Sequence, residues 1–424
     1  MNARLDLKRH PCFNAEVKGH CGRIHLPVAP RCNIKCNYCN RKFDCVNESR
    51  PGVSSALLTP IQAVGYLEKV MERQPAITVV GIAGPGDPFA NAEETLETLR
   101  LVRKRFPDML LCLASNGLNL SAHLDELAAL EVSHVTVTVN AVDPEIGARI
   151  YSWVRDGKVI YRGLKAAELL LERQIEAIEG LKARGIVVKV NTIVVPGVND
   201  HHVEAVARRM KELGVDLLNC MPMYPNAETP FEKVPEPTAE EMAGLQAEAE
   251  KYLPQMRHCT RCRADAVGLL GADCSHEFQE TLSACARSLP SSENRPYVAV
   301  ASLEGILVNL HLGEAPGFMI WGRTEDGDYT LIEKREAPNP GNGPQRWKDL
   351  ARVLSDCRAV LVSGVGEAPR KILTECGIVP VEMNGFIEMG LDVIYKGGNM
   401  NAVKGRRMGC GKGGGCKSNG EGCG

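Results

Sequence analysis

The chain has 424 residues, of which 44% are hydrophobic and 24% charged, and its 50 Lys and Arg against 52 Asp and Glu give a formal net charge of −2. This composition is typical of a globular protein of two or three domains, and so small a net charge excludes a general electrostatic attraction to nucleic acid. No run approaches the ~20 apolar residues of a membrane span, and the first residues lack the apolar core of a signal peptide, so we expect a cytoplasmic protein without nucleic-acid or membrane partners.

Strands and helices alternate from residue 23 to residue 221. We predict strands at residues 23–30, 77–83, 109–115, 134–140, 186–195 and 215–221, and helices from residue 59 and at residues 91–106, 121–130, 172–184 and 203–213. Six such units predict a parallel α/β sheet, either curled as part of a barrel or open and doubly wound. In the fourth strand, Thr136, Thr138 and Asn140 share one face and three valines form the other. A doubly wound sheet buries both faces, so this pattern favours a partial (βα)6 barrel with a polar interior.

The seventeen cysteines are clustered along the chain. Six lie between Cys12 and Cys45, four between Cys259 and Cys285, and three in residues 410–424. Structural disulfides are rare in the cytoplasm, so clustering of this kind favours metal ligation.

The loop after the first strand, RCNIKCNYCNRKFDC at residues 31–45, contains Cys32, Cys36 and Cys39 in a C-x3-C-x2-C spacing. Three thiolates with this spacing can converge on one metal centre. A 4Fe-4S cluster is normally held by four cysteines, so three ligands leave one iron open for a small molecule. Zinc is the competing metal, but it prefers a closed tetrahedral set. The polar residues between the cysteines argue against simple packing of buried thiols.

Turn-forming residues follow each of the first five strands. They lie at residues 31–45, 84–88, 115–117, 140–144 and 196–200. Barrels with parallel strands place their sites at the carboxyl ends of the strands, so we expect these loops to face one opening. Each loop alone is typical of an ordinary turn, and only together with the cysteine loop do they indicate a ligand site.

The cysteine loop, with Tyr38 directly before its last cysteine, resembles the cluster loop of the radical S-adenosylmethionine (SAM) superfamily. In that superfamily the amino and carboxylate groups of SAM chelate the open iron, and one-electron reduction cleaves SAM to a 5′-deoxyadenosyl radical. The resemblance implies that residues 84–88, after the second strand, contact the methionyl group. The implied SAM-site residues are Tyr38, Gly84, Gly86, Asp87, Asn116, Thr138, Asn140, Asn191 and Ile193.

Four segments resemble the radical SAM nitrogenase cofactor maturases, the NifB family. They are HPCFN at residues 10–14, RIHLPVAPRCNIKCNYCNRKFDCVNESRPGV at 23–53, AGPGDP at 83–88 and CTRCRADAVGLLG at 259–271. The C-x2-C pair of the last segment is by itself compatible with redox, zinc or cluster roles. The first and last segments are not general radical SAM features, and the resemblance extends over residues 10–275.

The NifB resemblance implies an enzyme that holds two accessory 4Fe-4S clusters beside the SAM cluster. It would fuse them, with carbide and sulfur insertion, into the 8Fe-9S-C precursor of the nitrogenase cofactor. One SAM would donate a methyl group to a cluster sulfide, and a second would yield the radical that abstracts hydrogen from that methyl. Expected partners are cofactor assembly and carrier proteins, iron-sulfur cluster donors, and an electron donor such as a ferredoxin or flavodoxin.

The same resemblance implies the ligands of these accessory clusters. They are Cys12, His25 and Cys112 for one cluster, and Cys45, Cys259 and Cys262 for the other, with His10 and His20 as substitutes for His25. A lone strand histidine is more often a core residue, and only the position of His25 between Cys12 and the cysteine loop favours ligation. Glu48 and Arg50 are expected to orient substrate or clusters.

Residues 1–290 are therefore predicted to form the radical SAM domain, followed by a polar linker at 291–296 and a smaller α/β domain at 297–400. In the smaller domain we predict strands at 297–303, 305–312, 317–322 and 359–362, and helices at 346–357 and after 368. VNLHLGEAPGFMIW at 308–321 and CGIVPVEMNGFIEMGL at 376–391 resemble the NifX/NafY cofactor-carrier domain. His311 is a candidate cofactor contact, or else a partly buried strand histidine. The Gly- and Cys-rich tail at 401–424 cannot form a core and is expected to be disordered.

Two other functions remain open at this point. One is a radical SAM peptide maturase with auxiliary clusters, against which the HPC segment before the first strand argues. The other is a non-catalytic iron-sulfur scaffold or carrier, which has no need of five loops around a nucleotide site.

Overall fold

The computed structural model describes residues 5–40, 42, 44, 51–287, 295–324, 326–341 and 343–396. Cys45, Glu48, Arg50, most of the predicted linker and the Gly- and Cys-rich tail lie outside these residues. The chain divides into two compact units, Met1–Ser283 and Ala284–Gly424. Within the described ranges, no helix combines the length and the apolar character needed to cross a membrane.

The first unit alternates strands and helices. In chain order its elements are β1 (Gly22–His25), β2 (Ile34–Cys36), α1 (Pro60–Arg73), β3 (Ile77–Ile82), α2 (Ala92–Arg105), β4 (Leu110–Ser115), α3 (Leu124–Ala129), β5 (Val132–Thr138), α4 (Pro144–Ile150), β6 (Tyr151–Asp156), β7 (Val159–Tyr161), α5 (Gly163–Ala183), β8 (Val187–Val194), α6 (Val203–Glu212), β9 (Leu217–Pro222), α7 (Ala239–Glu250), β10 (Val267–Leu269), β11 (Ala272–Asp273) and α8 (Gln279–Arg287).

Six parallel strands form the main sheet in the order β1-β3-β4-β5-β8-β9. At the β1 edge, β10 and β11 continue the sheet in antiparallel orientation. The predicted α/β class and partial (βα)6 barrel are confirmed. Val135 and Val137 of β5, the fourth parallel strand, are fully buried on the side opposite Thr136 and Thr138, as their alternation predicts, and Val139 directly after the strand is fully buried as well.

A three-stranded sheet of β2, β6 and β7 holds the cysteine loop. Ile34 of β2 packs with Ile150 and Val154 in a buried cluster, and Cys32 and Cys36 pack against its edge. The beginning of the loop thereby packs against a hydrophobic cluster that Ile193 of β8 also contacts.

Several predicted bounds in the first unit were wrong. The first strand ends at His25 rather than at residue 30, because Pro27 and Pro30 lack the N–H that a sheet strand donates. The helix predicted at 172–184 begins at Gly163, and the preceding α4, β6 and β7 were missed. The β6–β7 hairpin is short and partly exposed, so it lacks a strong apolar alternation.

The second unit contains a five-stranded sheet with helices on both faces. Its elements are β12 (Tyr297–Val300), β13 (Leu307–Val308), β14 (Gly317–Arg323), β15 (Tyr329–Glu336), α9 (Pro344–Val353), β16 (Cys357–Val362), α10 (Glu367–Glu375), β17 (Val379–Glu382), β18 (Gly385–Phe386) and α11 (Ile387–Lys396). The sheet order is β15-β14-β12-β16-β17, with α9 and α10 in one core and α11 in the other. The predicted strand at 305–312 is reduced to β13. The edge strands β15 and β17 were missed, because β15 is largely polar and exposed and β17 contains Pro380.

Candidate active site inside the barrel

A cavity of about 320 Å³ lies against the inner face of the main sheet. It is lined by most of the predicted site residues of the first unit: Cys12, His25, Cys32, Cys36, Tyr38, Gly86, Asp87, Cys112, Asn116, Thr138, Asn191, Ile193, Cys259 and Cys262. Cys39, Gly84 and Asn140 do not line it, although Asn140 bonds to Tyr38 and the other two lie within two residues of a lining residue. Cys45, Glu48 and Arg50 are outside the described residues and stay predictions. The fold therefore brings members of all three predicted cluster-ligand sets to one cavity.

The three cysteines of the loop that contains β2 are all half-buried. Burial raises the pKa of Cys36, and the neighbouring Cys39 and Cys32 raise it further, so the three groups are close enough to interact electrostatically. Among the residues that the structure describes, no three His, Cys, Asp or Glu side chains are grouped tightly enough to hold one metal ion. In a cubane each cysteine binds a different iron, so three cysteines can hold a 4Fe-4S cluster and leave its fourth iron open, whereas zinc prefers a closed set of four ligands.

The loop after β3 approaches the cysteine loop through its backbone. Gly86 N donates to Ala29 O at 2.6 Å, and Asp87 N donates to Arg31 O at 2.8 Å. A Cβ added at Gly86 would lie 2.0 Å from Arg31 O and 2.9 Å from Pro30 O. Only glycine permits this approach. The loop after β3 therefore contacts the backbone of Arg31, the residue before Cys32.

The Asp87 carboxylate joins the loops after β3 and β4. It is 3% exposed and accepts hydrogen bonds from Asn116 N at 2.6 Å, Phe89 N at 2.9 Å and Ser115 Oγ at 3.0 Å. Burial raises the pKa of Asp87, and these donors oppose that shift. The Asn116 side chain continues the connection by donating to Asn33 Oδ1 at 2.7 Å, with its Nδ2 3.9 Å from Cys32 Sγ. The carboxylate thus positions Asn116 beside the first cysteine.

Asn140 fixes two of the residues predicted to contact the adenosyl group. Its Nδ2 donates to Tyr38 Oη at 3.0 Å, and its Oδ1 accepts from Ile193 N at 2.9 Å. Burial raises the pKa of Tyr38 well above its usual value, so its hydroxyl keeps its proton. Asn140 is itself buried, and its amide is used in holding Tyr38 against β8.

His25 has the hydrogen-bonding pattern of a metal-ligating histidine. Its Nδ1 lies 2.8 Å from Arg263 O, and because a carbonyl only accepts, Nδ1 carries the hydrogen and Nε2 keeps its lone pair. Burial lowers the pKa of His25 to about 4, which keeps the ring neutral near pH 7. A Cβ at Gly81 would lie 2.8 Å from His25 Cδ2, so this glycine makes room for the ring.

The proposed substitutes for His25 do not fit. His10 Nδ1 accepts from Cys12 N at 3.2 Å, which places the ring hydrogen on Nε2 and removes the free lone pair a ligand needs. His20 is exposed and does not line the cavity. Of the three histidines considered, only His25 lines the cavity with a lone pair available.

The C-x2-C pair reaches the cavity beside β1. Arg23 is 1% exposed; its guanidinium donates to Cys262 Sγ at 3.1 Å and to Asp273 Oδ2 at 2.6 Å. Arg23 and His25 lie on the same face of β1, so strand alternation from His25 would have placed Arg23 at the same cavity. The buried Arg23 guanidinium thus contacts one sulfur of the C-x2-C pair directly.

The sequence analysis missed Lys189 and assigned His10 only as a substitute ligand. Lys189 shares a face of β8 with Asn191 and Ile193, and all three line the cavity. His10 is 1% exposed, and its ring centroid lies 4.4 Å from that of His134. The two-residue period of a strand would have placed Lys189 on the same face as Asn191 and Ile193. The position of His10 could not be predicted in this way, because it lies in a segment without a periodic pattern.

In the second unit, His311 is half-buried at a short bridge to Gly364. Its Nδ1 accepts from Gly313 N at 3.1 Å, so Nε2 carries the hydrogen and is available as a donor. A Cβ at Gly364 would lie 2.7 Å from His311 Cδ2, so the backbone just after β16 packs directly against the ring.

The chain is similar to known proteins over nearly its whole length. It is 54% identical over 399 residues to the FeMo cofactor biosynthesis protein NifB of Chlorobaculum tepidum, covering 93% of this chain and 94% of that protein. It is 40% identical over 404 residues to the protein of the same name from Klebsiella pneumoniae, covering 88% and 86%. The Radical SAM superfamily profile matches residues 26–228, and the Dinitrogenase iron-molybdenum cofactor profile matches residues 294–397. Among solved structures, a radical SAM methyltransferase from Sphaerobacter thermophilus aligns with a TM-score of 0.40 and 17% sequence identity. The alignment covers 55% of this chain and 64% of that one.

Proposed function

Because the chain belongs to the NifB family of FeMo cofactor biosynthesis proteins, we propose that it fuses two 4Fe-4S clusters, with carbide and sulfur insertion, into the 8Fe-9S-C precursor of the nitrogenase cofactor. In this proposal the chain is a radical SAM enzyme, and the two accessory clusters are its substrates.

The observation that carries the proposal is the common cavity. Cys32 and Cys36 of the SAM-cluster loop line it together with two other groups of metal-binding residues, Cys12, His25 and Cys112 in one, and Cys259 and Cys262 in the other. A generic radical SAM enzyme needs only the first group. Two additional sets of sulfur and imidazole donors facing the same cavity suit an enzyme whose substrates are themselves clusters.

The chain's own residues would position SAM between these groups. With a 4Fe-4S cluster on Cys32, Cys36 and Cys39, bound SAM supplies a methyl group and a 5′-deoxyadenosyl radical. Gly86 allows the loop after β3 to approach that cluster, and Asn140 holds Tyr38 toward the adenosyl side. Thr138, Asn191 and Ile193 line the same side of the cavity and are the further proposed contacts.

In this proposal the protein ligates only some of the irons of each accessory cluster. Three protein ligands leave at least one iron of a cubane without a protein donor, and such irons are free to rearrange during fusion. The neutral imidazole of His25 is a weaker ligand than a thiolate, which suits a cluster that must leave. Cys45 is proposed as the third ligand of the Cys259 and Cys262 group, and Glu48 and Arg50 as orienting residues.

The second unit is proposed to carry the product. It matches the Dinitrogenase iron-molybdenum cofactor family over residues 294–397, and the Nε2–H of His311 is a suitable donor to a cluster sulfide. Proposed partners are cofactor assembly and carrier proteins, iron-sulfur cluster donors, and a ferredoxin or flavodoxin as reductant.

The test is an anaerobic assay on reconstituted full-length protein. We expect about twelve irons per chain, since three cubanes hold four each. With reductant, SAM should be converted to both S-adenosylhomocysteine and 5′-deoxyadenosine. Formation of 5′-deoxyadenosine alone would reduce the assignment to a generic radical enzyme such as a peptide maturase. If neither product forms while twelve irons are bound, a non-catalytic scaffold is the better reading.

A further inference from the structure

Lys189 is a buried cation on the inner face of the barrel. Its residue is 7% exposed, and it lines the cavity. Its Nζ lies 3.6 Å from Met256 Sδ and 5.1 Å from the ring centroid of Phe13. Among the described residues, no carboxylate pairs with it. A thioether and a ring face are weak partners, so an ammonium in these surroundings is costly unless an anion compensates it.

His10 presents a second unused donor to the same cavity. Its Nδ1 accepts from Cys12 N, so Nε2 carries the hydrogen. That Nε2 is fully buried and has no hydrogen-bond partner among the described residues. The ring contacts His134, with centroids 4.4 Å apart, and Phe13, with centroids 4.7 Å apart, so it is held in place. A buried N–H without an acceptor is rare and indicates a missing acceptor.

We propose that Lys189 and the Nε2–H of His10 form a cationic donor site for the sulfides of the accessory cluster that Cys12, His25 and Cys112 hold. The inference rests on the proposed function, since it requires a cluster at those ligands. All five residues line the cavity. Cluster sulfides accept hydrogen bonds, and such bonds together with nearby charge set the reduction potential. Lys189 is therefore a positioning residue that anchors a cluster with few protein ligands and favours its reduced state.

The experiment isolates this cluster in the full-length chain. In the parent variant, Cys32, Cys36, Cys39, Cys259 and Cys262 are replaced by Ala, so that only the Cys12 group remains intact. The parent is reconstituted anaerobically with iron and sulfide, its iron is counted, and its midpoint potential is measured by EPR-monitored redox titration. Lys189→Met removes the charge at similar length, Lys189→Arg retains it, and Lys165→Met is the control on the exposed face of α5.

We expect the parent to bind about four irons. Lys189→Met should make the cluster harder to reduce, by at least tenfold in the reduction equilibrium, which is 59 mV for a one-electron couple. Lys189→Arg should stay near the parent, and Lys165→Met should match it. If Lys189→Met loses the cluster while Lys189→Arg keeps it, the anchoring role is supported directly.

Three results would overturn the inference in distinguishable ways. A parent that binds no iron would remove the proposed function's accessory cluster, and the role of Lys189 with it. A parent with four irons whose potential and iron content are unchanged in Lys189→Met would overturn the role of Lys189 alone. Equal losses in Lys189→Met and Lys189→Arg would also overturn it, because charge would then not be the cause.

Discussion

Replacing Gly86 by Ala tests whether the close approach of the β3 loop to the cysteine loop is required. The added Cβ would lie 2.0 Å from Arg31 O, where ordinary contact begins at 3.4 Å, so the two backbones must separate by more than 1 Å. That separation breaks the 2.8 Å bond from Asp87 N to Arg31 O. Overpacking typically costs about 1–3 kcal/mol. A buried unpaired group costs about 1–3 kcal/mol more, so we expect the apoprotein to lose about 2–6 kcal/mol of unfolding free energy.

The effect on chemistry should exceed the effect on cluster binding. Arg31 precedes Cys32, and a displacement of about 1 Å in a reacting geometry can cost about 100-fold in rate. We therefore expect 5′-deoxyadenosine formation to fall about 100-fold, while iron bound at the Cys12 and Cys259 groups is retained. The assays are chemical or thermal unfolding of the apoprotein, iron content, and anaerobic SAM cleavage.

Gly65→Ala is the matched control for this substitution. Gly65 lies within α1, and a Cβ there would meet nothing within 4 Å. In a helix the same change should be neutral or stabilising by up to about 1 kcal/mol. If Gly86→Ala behaves like Gly65→Ala in both stability and SAM cleavage, the contact between the two loops does not control the site, and the reasoning is refuted.

Three further predictions follow from the same structure. Cys32→Ala should abolish all SAM cleavage, whereas Cys259→Ala should spare 5′-deoxyadenosine and remove S-adenosylhomocysteine; identical product profiles would contradict the division into cluster groups. Burial lowers the pKa of His134 to about 3 from 6.5, so below pH 6.5 the unfolded chain binds a proton that the folded chain does not, and stability falls as the pH is lowered. From pH 7 to 5 the apoprotein should lose about 2 kcal/mol from this ring, measured by denaturant titration, and His134→Phe should lack that part of the dependence. Deleting residues 296–424 should leave cluster synthesis intact but slow transfer to an acceptor, followed by mixing with apo-acceptor; loss of synthesis would contradict a carrier role.

Part of the site could be predicted from the sequence because the patterns that indicate it extend over only a few consecutive residues. The C-x3-C-x2-C spacing of Cys32, Cys36 and Cys39 is a property of eight consecutive residues, and the alternation of Thr136 and Thr138 with valines needs only one strand. The start of α1 is also set locally, because Thr59 caps the helix and forms a capping box with Gln62, three residues later. The β15 edge strand was missed because an exposed polar strand lacks an apolar pattern.

The sequence by itself determined the α/β class, the cysteine loop and the family resemblance, because strand period and ligand spacing are short-range properties of the chain. Only the tertiary structure decided which ring nitrogen of His10 and of His25 is free, and that Lys189 is buried without a described carboxylate. Those features depend on partners distant in sequence, such as Arg263 for His25 and Met256 for Lys189. Hydrogen-bond partners of this kind are set by how the strands and loops pack, and no periodicity in the sequence encodes them.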